Sequence, residues 1–300
     1  MELWIYITFG AAFAQSLRFM LQKKLTTVGL STAGATFARF VFTAPVVAFI
    51  AVTYAVTTQQ GMPELPTAFW IHGVIGGTSQ ILATMCVVAL FSHRNFAVGV
   101  TFKKTEVILS VIVGFFVLGD RVTTLALAVI LIGVVGVLLL SDPPKATGPW
   151  HKRILNRAVF LGLTSGLFFG FSGVSYRGAS LSIAEGDTFY RAMVTMAFVV
   201  TFQLILMALW LLWRERGEIT KVLNAWRIVA LVGVTSMVGT ICWFNAFTLQ
   251  SAGYVNAVGQ VELLFSIFIG AIVFGERVTK REWQGLLLLT FSVVLLVLAV

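Results

Sequence analysis

Two acidic side chains, Glu106 and Glu262, stand inside long apolar stretches of the sequence, where charged residues are rare. Each lies about eleven residues into its stretch, which is about 16 Å along a helix and close to the midplane of a bilayer. A charge at that depth is unfavourable by several kcal/mol unless it is paired or faces water. Both glutamates are therefore candidates for binding a solute or a proton.

The surroundings of the two glutamates differ. Lys103 precedes Glu106 by three residues, on the same face of a helix, and this spacing predicts an ion pair within the helix. The corresponding position before Glu262 holds Gly259, so unless Arg191 reaches it we expect burial to favour the neutral form of this glutamate. Glu262 would then accept a proton or a substrate amine. The alternative is a structural carboxylate that bonds to a neighbouring helix.

Five basic side chains also fall inside apolar stretches, Lys103 among them. Arg39 and Arg191 occupy corresponding positions near helix ends, where a long side chain can extend to water. The other roles open to them are gating, pairing with the glutamate of their own half, and binding a substrate carboxylate. Lys104 either contacts an anionic substrate or extends to the interface. Arg18 lies near a helix end, and we expect its guanidinium to extend to the interface.

Uncharged polar side chains in the same stretches would complete a binding pocket. They are Gln15, Gln80, Asn245, Asn256, Gln260 and the indole of Trp243. The ring of Trp243 lies far from any helix end and could stack on a planar or cationic solute. The alternative for each is a hydrogen bond or a packing contact between helices. A stripe of small residues, Gly162, Gly166 and Gly170, predicts close packing of its helix against a neighbour.

The elements that must position these side chains are apolar helices. At 58% hydrophobic and 11% charged residues, with a mean hydropathy of +0.95, the 300-residue chain has too few charges for a soluble surface and too many apolar residues for disorder. Ten stretches are long enough to cross a hydrocarbon core of about 30 Å. They are Trp4–Leu21, Ser31–Tyr54, Ala68–Phe91, Phe96–Leu118, Val122–Leu140, Ala158–Tyr176, Thr188–Trp213, Trp226–Phe247, Ala252–Phe274 and Trp283–Val300. The predicted fold is an all-α polytopic membrane protein of ten transmembrane helices, the second kinked by Pro45.

Several other classes of protein are excluded or disfavoured. The net charge of +9 is not gathered on a soluble surface with exposed aromatic rings, which excludes nucleic-acid binding. The sequence has no His-Glu-x-x-His, Cys-x-x-Cys or P-loop motif, and its three histidines do not cluster. Cys86 and Cys242 lie within apolar stretches and make neither a zinc site nor a redox pair. We therefore expect no enzymatic activity, no cofactor and no metal.

The sequence repeats itself once. A shift of 156 residues aligns Phe115–Thr123 with Ala271–Thr279 and places the two buried glutamates opposite each other. The chain therefore divides into two five-helix halves, residues 1–141 and 158–300, joined by a loop at 142–157. Because five is odd, the second half must enter the membrane from the opposite side, so we predict an inverted repeat.

A Gly-acid-Arg turn precedes the last helix of each half, at Gly119-Asp120-Arg121 and at Gly275-Glu276-Arg277. With the doubled five-helix unit, this turn resembles the EamA-like, ten-helix branch of the drug/metabolite transporter superfamily, over essentially the whole chain. The resemblance implies a secondary carrier of amino acids, related metabolites or drugs that works by alternating access, often outward, with coupling to protons as an option. The alternatives are a carrier of lipid-linked or nucleotide sugars, and a membrane receptor or partner-binding subunit.

The distribution of basic residues predicts the orientation in the membrane. Loops one, three, five, seven and nine hold 14 lysine and arginine residues, against 2 in the other loops, when Arg227 at the start of the eighth stretch is counted with loop seven. Basic loops stay in the cytoplasm, so both termini are expected outside, whereas the resemblance implies cytoplasmic termini. The expected location is the plasma membrane, or inner membrane of a bacterium, in contact with lipid and a small-molecule substrate. Substrate, direction, coupling ion and oligomeric state are left open.

Overall fold

Residues 2–91, 103–140, 157–274 and 280–299 are described by a computed structural model, and within these ranges the chain forms helices and turns without a strand. The helices are α1 (Leu3–Thr27), α2 (Thr32–Val41), α3 (Thr43–Thr57), α4 (Thr67–Phe91), α5 (Glu106–Leu118), α6 (Thr124–Leu140), α7 (Arg157–Ser182), α8 (Thr188–Arg214), α9 (Glu218–Asn224), α10 (Trp226–Leu249), α11 (Ala252–Gly259), α12 (Glu262–Phe274) and α13 (Lys280–Ala299). The loop predicted at 142–157 lies outside the described residues, except for Arg157. The turn Gly275-Glu276-Arg277 also lies outside them.

Four apolar helical segments are long enough to cross a membrane by length and composition. They are Thr32–Thr57, Thr67–Leu90, Thr188–Arg214 and Trp226–Leu249, with hydropathies between 1.7 and 2.2. Shorter apolar segments follow the same pattern, at Glu106–Leu118, Thr124–Gly136, Ala252–Phe268 and Trp283–Leu298. The described chain is thus all-helical, as predicted, with the apolar helices of a membrane protein.

The second apolar stretch is interrupted at Phe42, between α2 and α3. Pro45 is the third residue of α3, within the first turn, where a backbone N–H has no acceptor inside the helix. The hydroxyl of Thr43 donates to the carbonyl of Arg39 at 2.6 Å and so satisfies an acceptor at the interruption. The change of helix therefore falls where the proline predicts a kink.

Two further interruptions come immediately before the buried glutamates. Residues 104–105 form a turn and α5 begins at Glu106, while α11 ends at Gly259 and α12 begins at Glu262. The prediction of one continuous helix across each of these regions is wrong. The N–H of Val107 donates to the carbonyl of Lys104 at 3.3 Å, and the N–H of Leu263 donates in the same way to the carbonyl of Gln260 at 2.9 Å. These tightened turns are tolerated because protein, not lipid, surrounds them.

Small residues allow the helices to pack closely. Helix α4 lies along α7, α1 along α10, and α6 along α13. A Cβ atom added to Gly136 of α6 would lie 2.9 Å from the backbone nitrogen of Leu289 in α13, so these two helices touch through their backbones. Helix α7 presents Gly166 and Gly170 to the region around α5, which confirms that two of the three predicted stripe residues serve packing.

Asp187 caps the N-terminus of α8 and ties it to the segment after α3. Its carboxylate accepts hydrogen bonds from the backbone N–H of Tyr190 at 2.9 Å, the hydroxyl of Tyr54 at 3.0 Å and the side-chain amide of Gln60 at 2.8 Å. Partial burial raises the pKa of the Asp187 carboxyl, but these hydrogen bonds outweigh it and hold the pKa below its ordinary value. The charged form therefore stabilises this corner of the fold.

Asp187→Ala is expected to reduce stability by about 0.5–2 kcal/mol at pH 7, because the cap and its two side-chain partners are lost. A lowered carboxyl pKa contributes stability above the unfolded-state value and loses it as the pH falls through the folded-state value. The wild-type advantage should therefore shrink below about pH 4. Unfolding of the detergent-solubilised protein at pH 7 and at acid pH measures this. Asp187→Asn, which retains a capping oxygen, is the control, and equal stability of wild type and the alanine variant at pH 7 would refute the role.

Candidate substrate-binding cavity

A cavity lies between the helices at the level of the interruptions, with a volume of about 40 Å³. Its polar lining comes from Gln15, Arg39, Gln80, Glu106, Ser172, Gln203, Thr240 and Asn256. Its apolar lining consists of Phe169, Gly173, Tyr176, Trp243, Phe244 and Phe247. Five of the ten predicted site residues therefore meet in one cavity: Arg39, Gln80, Glu106, Trp243 and Asn256.

Glu262 lies behind this cavity in a buried charge cluster and is 1% exposed. One of its carboxylate oxygens, Oε2, accepts from Lys104 Nζ at 2.6 Å, from Lys103 Nζ at 3.2 Å and from Gln15 Nε2 at 3.0 Å. The prediction that Glu262 has no cation nearby is therefore wrong. The argument that burial favours its neutral form rested on that prediction and no longer holds. The turn at residues 104–105 carries both ammonium groups away from the helical path and toward α12.

Glu106 has weaker partners than Glu262. Its carboxylate lies 3.9 Å from Lys104 Nζ, and its side chain remains 9% exposed in the wall of the cavity. The predicted pair between Lys103 and Glu106 is replaced by the pair between Lys103 and Glu262. The physical reason is that α5 begins only at Glu106, so the helical spacing assumed for Lys103 does not hold.

Arg18 is buried in the protein and does not extend to the interface, so this prediction is wrong. It is 2% exposed, and its Nη2 donates to Gln15 Oε1 at 3.2 Å. Its guanidinium carbon lies 4.6 Å from the ring centre of Phe19. The ammonium of Lys103 lies 4.8 Å from the same ring and 4.8 Å from that of Phe169, so aromatic faces help to accommodate both cations.

The two arginines predicted to be equivalent have different surroundings. Arg39 is 3% exposed and lines the cavity; its Nη1 donates to Thr84 Oγ1 at 3.0 Å, and its Nε has no hydrogen-bond partner among the described residues. Arg191 is half-buried in the first turn of α8 and does not line this cavity. The structure therefore brings Arg39 to the candidate site and leaves Arg191 outside it.

The predicted amide side chains bridge neighbouring helices. Gln80 Oε1 accepts from the hydroxyl of Ser172 at 2.7 Å, and Asn256 Nδ2 donates to the hydroxyl of Ser110 at 2.6 Å. Gln260 is 1% exposed and lies at the interruption before α12, outside the cavity lining. Gln80 and Asn256 therefore hold helices together while still presenting polar atoms to the cavity.

Aromatic rings form one side of the cavity. Trp243 stacks on Phe247 with ring centres 5.5 Å apart and an interplanar angle of 19°. Its indole N–H is buried without a hydrogen-bond partner among the described residues. Gly259 makes room for this ring, because a Cβ there would meet the indole edge at 2.5 Å. The predicted stacking role of Trp243 is therefore compatible with its position, although its present neighbour is a protein ring.

Tyr176 and Gln203 belong to the site but were not predicted. Tyr176 stacks on Phe244 with ring centres 4.2 Å apart, and its hydroxyl accepts from Gln203 Nε2 at 3.2 Å. Gln203 is a lone amide within the seventh apolar stretch and could have been recognised by the argument applied to Gln80. Tyr176 gave no such signal, because a tyrosine near the end of a span usually anchors it at the interface.

The second half of the chain, residues 156–298, matches the model of the EamA-like transporter family. A crystal structure of another protein aligns with 99% of this chain and 96% of its own, with a TM-score of 0.71 and 14% sequence identity. At that identity the likeness concerns the fold alone. No curated protein matches the sequence.

Residues 156–298 thus match the EamA-like transporter family, and the fold of the solved structure extends over nearly the whole chain. The resemblance predicted from the doubled unit and its turns is thereby confirmed. Members of the EamA-like family are transporters and not enzymes.

The Gly-Asp-Arg turn at residues 119–121 closes one end of α5. Gly119 has a φ of +69°, which favours glycine, and ends the helix. Asp120 Oδ2 then lies 3.3 Å from Nε of Arg177 in α7, whose Nη1 donates to the carbonyl of Phe247 at 2.9 Å. The turn therefore connects the end of α5 to α7 and α10, on either side of the cavity.

Gly166→Ala is expected to destabilise the protein by about 1–3 kcal/mol through overpacking. A Cβ there would collide with Thr105 Oγ1, in the turn before α5, and lie 2.8 Å from the carbonyl of Lys103, just before that turn. The control is Gly10→Ala, whose Cβ would meet only Cys242 Sγ at 3.7 Å. Thermal unfolding in detergent compares the two; a Gly166 variant as stable as the Gly10 variant would contradict close packing at the turn.

Proposed function

We propose that the protein is a secondary-active transporter that exports a small metabolite through the central cavity by alternating access. The observation that carries this proposal is the cavity itself, lined by Arg39, Glu106 and stacked aromatic rings beside two interrupted helices. Interrupted helices at such sites are typical of carriers built from inverted repeats. The cavity of about 40 Å³ is smaller than most ligand sites, so helices must separate to admit a solute.

We propose that the chain has ten transmembrane helices in two inverted five-helix repeats, residues 1–141 and 158–300. The helix contacts support this arrangement, because α4 packs on α7 as α10 packs on α1, and α6 packs on its counterpart α13. The interruptions before Glu106 and Glu262 stand at corresponding positions of the two halves. Two similar units that rock against each other would expose the cavity to each side in turn.

Lys104 is the proposed moving contact of the cycle. Its ammonium lies 2.6 Å from Glu262 and 3.9 Å from Glu106, between α12 and α5. A small shift of one helix relative to the other would exchange the nearer carboxylate for the farther one. In this mechanism Glu106 takes the role of proton or solute contact that the sequence suggested for Glu262, because Glu106 faces the cavity and Glu262 is already paired.

Transport by the purified full-length protein in proteoliposomes tests the proposal. Uptake and efflux are measured for a panel of labelled metabolites, with and without a pH gradient. We expect saturable transport of at least one compound, which Trp243→Ala reduces, and acceleration by a proton gradient if coupling is present. Absence of transport across a broad panel, by protein that remains folded in the vesicles, would count against a carrier.

A lipid-linked sugar carrier is a second candidate, favoured by an apolar groove of about 250 Å³. The groove lies between α3 and α8 and is lined by Ala48, Ala51, Val52, Ala55, Met62, Tyr190, Val194, Ala197, Phe198 and Thr201. It has the lining expected of a site for an acyl or isoprenoid chain. A thermal-shift screen of soluble amino acids against lipid head groups separates the two candidates.

The proposed orientation places both termini outside the cell and the basic loops in the cytoplasm, in a plasma or bacterial inner membrane. A C-terminal reporter that is active only in the cytoplasm should therefore be silent. A reporter inserted after Gly29, in the turn between α1 and α2, is the matched control and should be active. The reverse pattern of activities would overturn this orientation.

A further inference from the structure

The buried part of the bundle holds more positive than negative charge. Four cationic side chains in the apolar helices and the turn before α5 are at most 3% exposed, namely Arg18, Arg39, Lys103 and Lys104. Among the described residues, only Glu106 and Glu262 oppose them inside the bundle, because the other described acidic residues lie in loops or at helix ends. An unpaired buried charge is unfavourable by several kcal/mol. The region therefore lacks two negative charges.

Arg39 is the cation of this group without a nearby carboxylate. Its hydrogen bond goes to a neutral hydroxyl, on Thr84, and its Nε has no hydrogen-bond partner among the described residues. The other three cations lie in the network around Glu262. Because Arg39 lines the cavity, a molecule bound there can contact its guanidinium.

The carboxylate in the cavity wall already has a cation of the protein near it, although not in direct contact. Glu106 lies 3.9 Å from Lys104, so an ammonium group on the ligand would compete with a lysine of the protein. It would also add a fifth cation to a region that already has two more cations than carboxylates. The charge distribution therefore favours a ligand with a net negative charge over a zwitterion or an amine.

The shape of the remaining lining indicates the body of the ligand. Trp243 with Phe247, and Tyr176 with Phe244, form two stacked pairs in the cavity wall. Flat apolar groups pack best against such surfaces. The buried indole N–H of Trp243 has no hydrogen-bond partner among the described residues and offers a second donor.

We propose that the cavity binds an organic carboxylate anion with a planar apolar body, held by the guanidinium of Arg39. A planar guanidinium matches the two oxygens of a carboxylate. This inference rests on the proposed transport function and adds the charge class of the substrate. Binding of the anion neutralises Arg39 and reduces the excess of buried positive charge, so the loaded carrier is the electrostatically favoured state.

Four compounds that share a phenyl ring test the charge class. Benzoate, benzamide, benzylamine and phenylglycine are respectively an anion, a neutral isostere, a cation and a zwitterion. Their binding to the purified full-length protein is measured by thermal shift and by isothermal titration in detergent. We expect benzoate to bind about tenfold or more tightly than benzamide, as for a charge-assisted pair. Equal or tighter binding of benzamide, benzylamine or phenylglycine, or no binding of benzoate, would overturn the proposal.

Two variants of Arg39 locate the anion. Arg39→Gln should abolish the preference for benzoate over benzamide, and Arg39→Lys should retain part of it. Arg191→Gln, outside the cavity, is the matched control and should bind like wild type. If folded Arg39→Gln protein still prefers benzoate over benzamide, the assignment is overturned. If that variant does not fold, Arg39→Lys decides: a lysine cannot form the bidentate pair, so wild-type affinity for benzoate in Arg39→Lys would also overturn the assignment.

Failure of this inference is distinguishable from failure of the proposed function. If the protein transports an amine or a zwitterion in proteoliposomes but does not bind benzoate, the proposed transport function stands and the proposed anionic substrate is wrong. If the protein binds benzoate tightly through Arg39 but, when folded in vesicles, transports no carboxylate, the anion site stands and the proposed transport function is wrong.

Discussion

Glu262→Gln is expected to reduce the stability of the protein by about 3–5 kcal/mol, the range for a buried ion pair that loses one partner. The amide can still accept from Gln15, but Lys103 and Lys104 would both be left without their nearest carboxylate. The distant contact between Lys104 and Glu106, at 3.9 Å, is too weak to compensate. Thermal and denaturant unfolding of the detergent-solubilised protein, together with its yield from the membrane, measures the loss.

A surface glutamate provides the control for this substitution. Glu64 is exposed in the segment between α3 and α4, so Glu64→Gln should change stability by no more than about 0.5 kcal/mol. If Glu262→Gln lowers stability because it leaves lysines without a carboxylate, adding Lys103→Met should recover about 1–2 kcal/mol of the free energy of unfolding. Methionine packs well among aromatic rings. A Glu262→Gln protein as stable as the Glu64 variant would show that the cluster does not hold the helices together.

The sequence predicts which residues are unusual better than it predicts their partners. Glu106, Glu262 and Lys104 are recognisable because a charge in an apolar stretch needs compensation wherever it lies. The partner of Glu262 was not predictable in this way. It depends on the turn at residues 104–105, which breaks the helical spacing on which the pair between Lys103 and Glu106 was inferred.

The position of a residue along a helix does not determine whether that residue faces the protein interior or the lipid. Arg18 and Arg39 both lie near helix ends, where extension to the interface is the ordinary expectation. The structure turns both of them inward, because α1 and α2 have neighbours on the faces that carry them. Gly166 was easier to interpret, since a glycine stripe has few uses in a span other than close packing. The helical fold class was predicted for the same reason, as it follows from composition and length alone.

Glu106→Gln is expected to lower transport about tenfold or more while leaving most of the folding stability intact. The magnitude corresponds to the loss of one charge-assisted contact from the transport cycle. In the proposed mechanism Lys104 passes from Glu262 to Glu106 as α12 and α5 shift, and an amide at Glu106 removes the second charged acceptor. Lys104 would then stay on Glu262, at 2.6 Å, and the carrier would remain in one conformation. Initial rates of uptake into proteoliposomes, set beside unfolding in detergent, measure the two effects separately.

The contrast between the two glutamates is the decisive part of this prediction. Glu262→Gln should mainly reduce stability, because its carboxylate is 1% exposed and directly bonded to two lysines. Glu106→Gln should mainly reduce transport, because its carboxylate has one cation at a distance and faces the cavity. Glu106→Asp keeps the charge on a shorter side chain and should retain part of the rate, and Glu185→Gln, at an exposed position, should retain all of it. Full transport by Glu106→Gln would exclude the exchange of Lys104 between the two carboxylates.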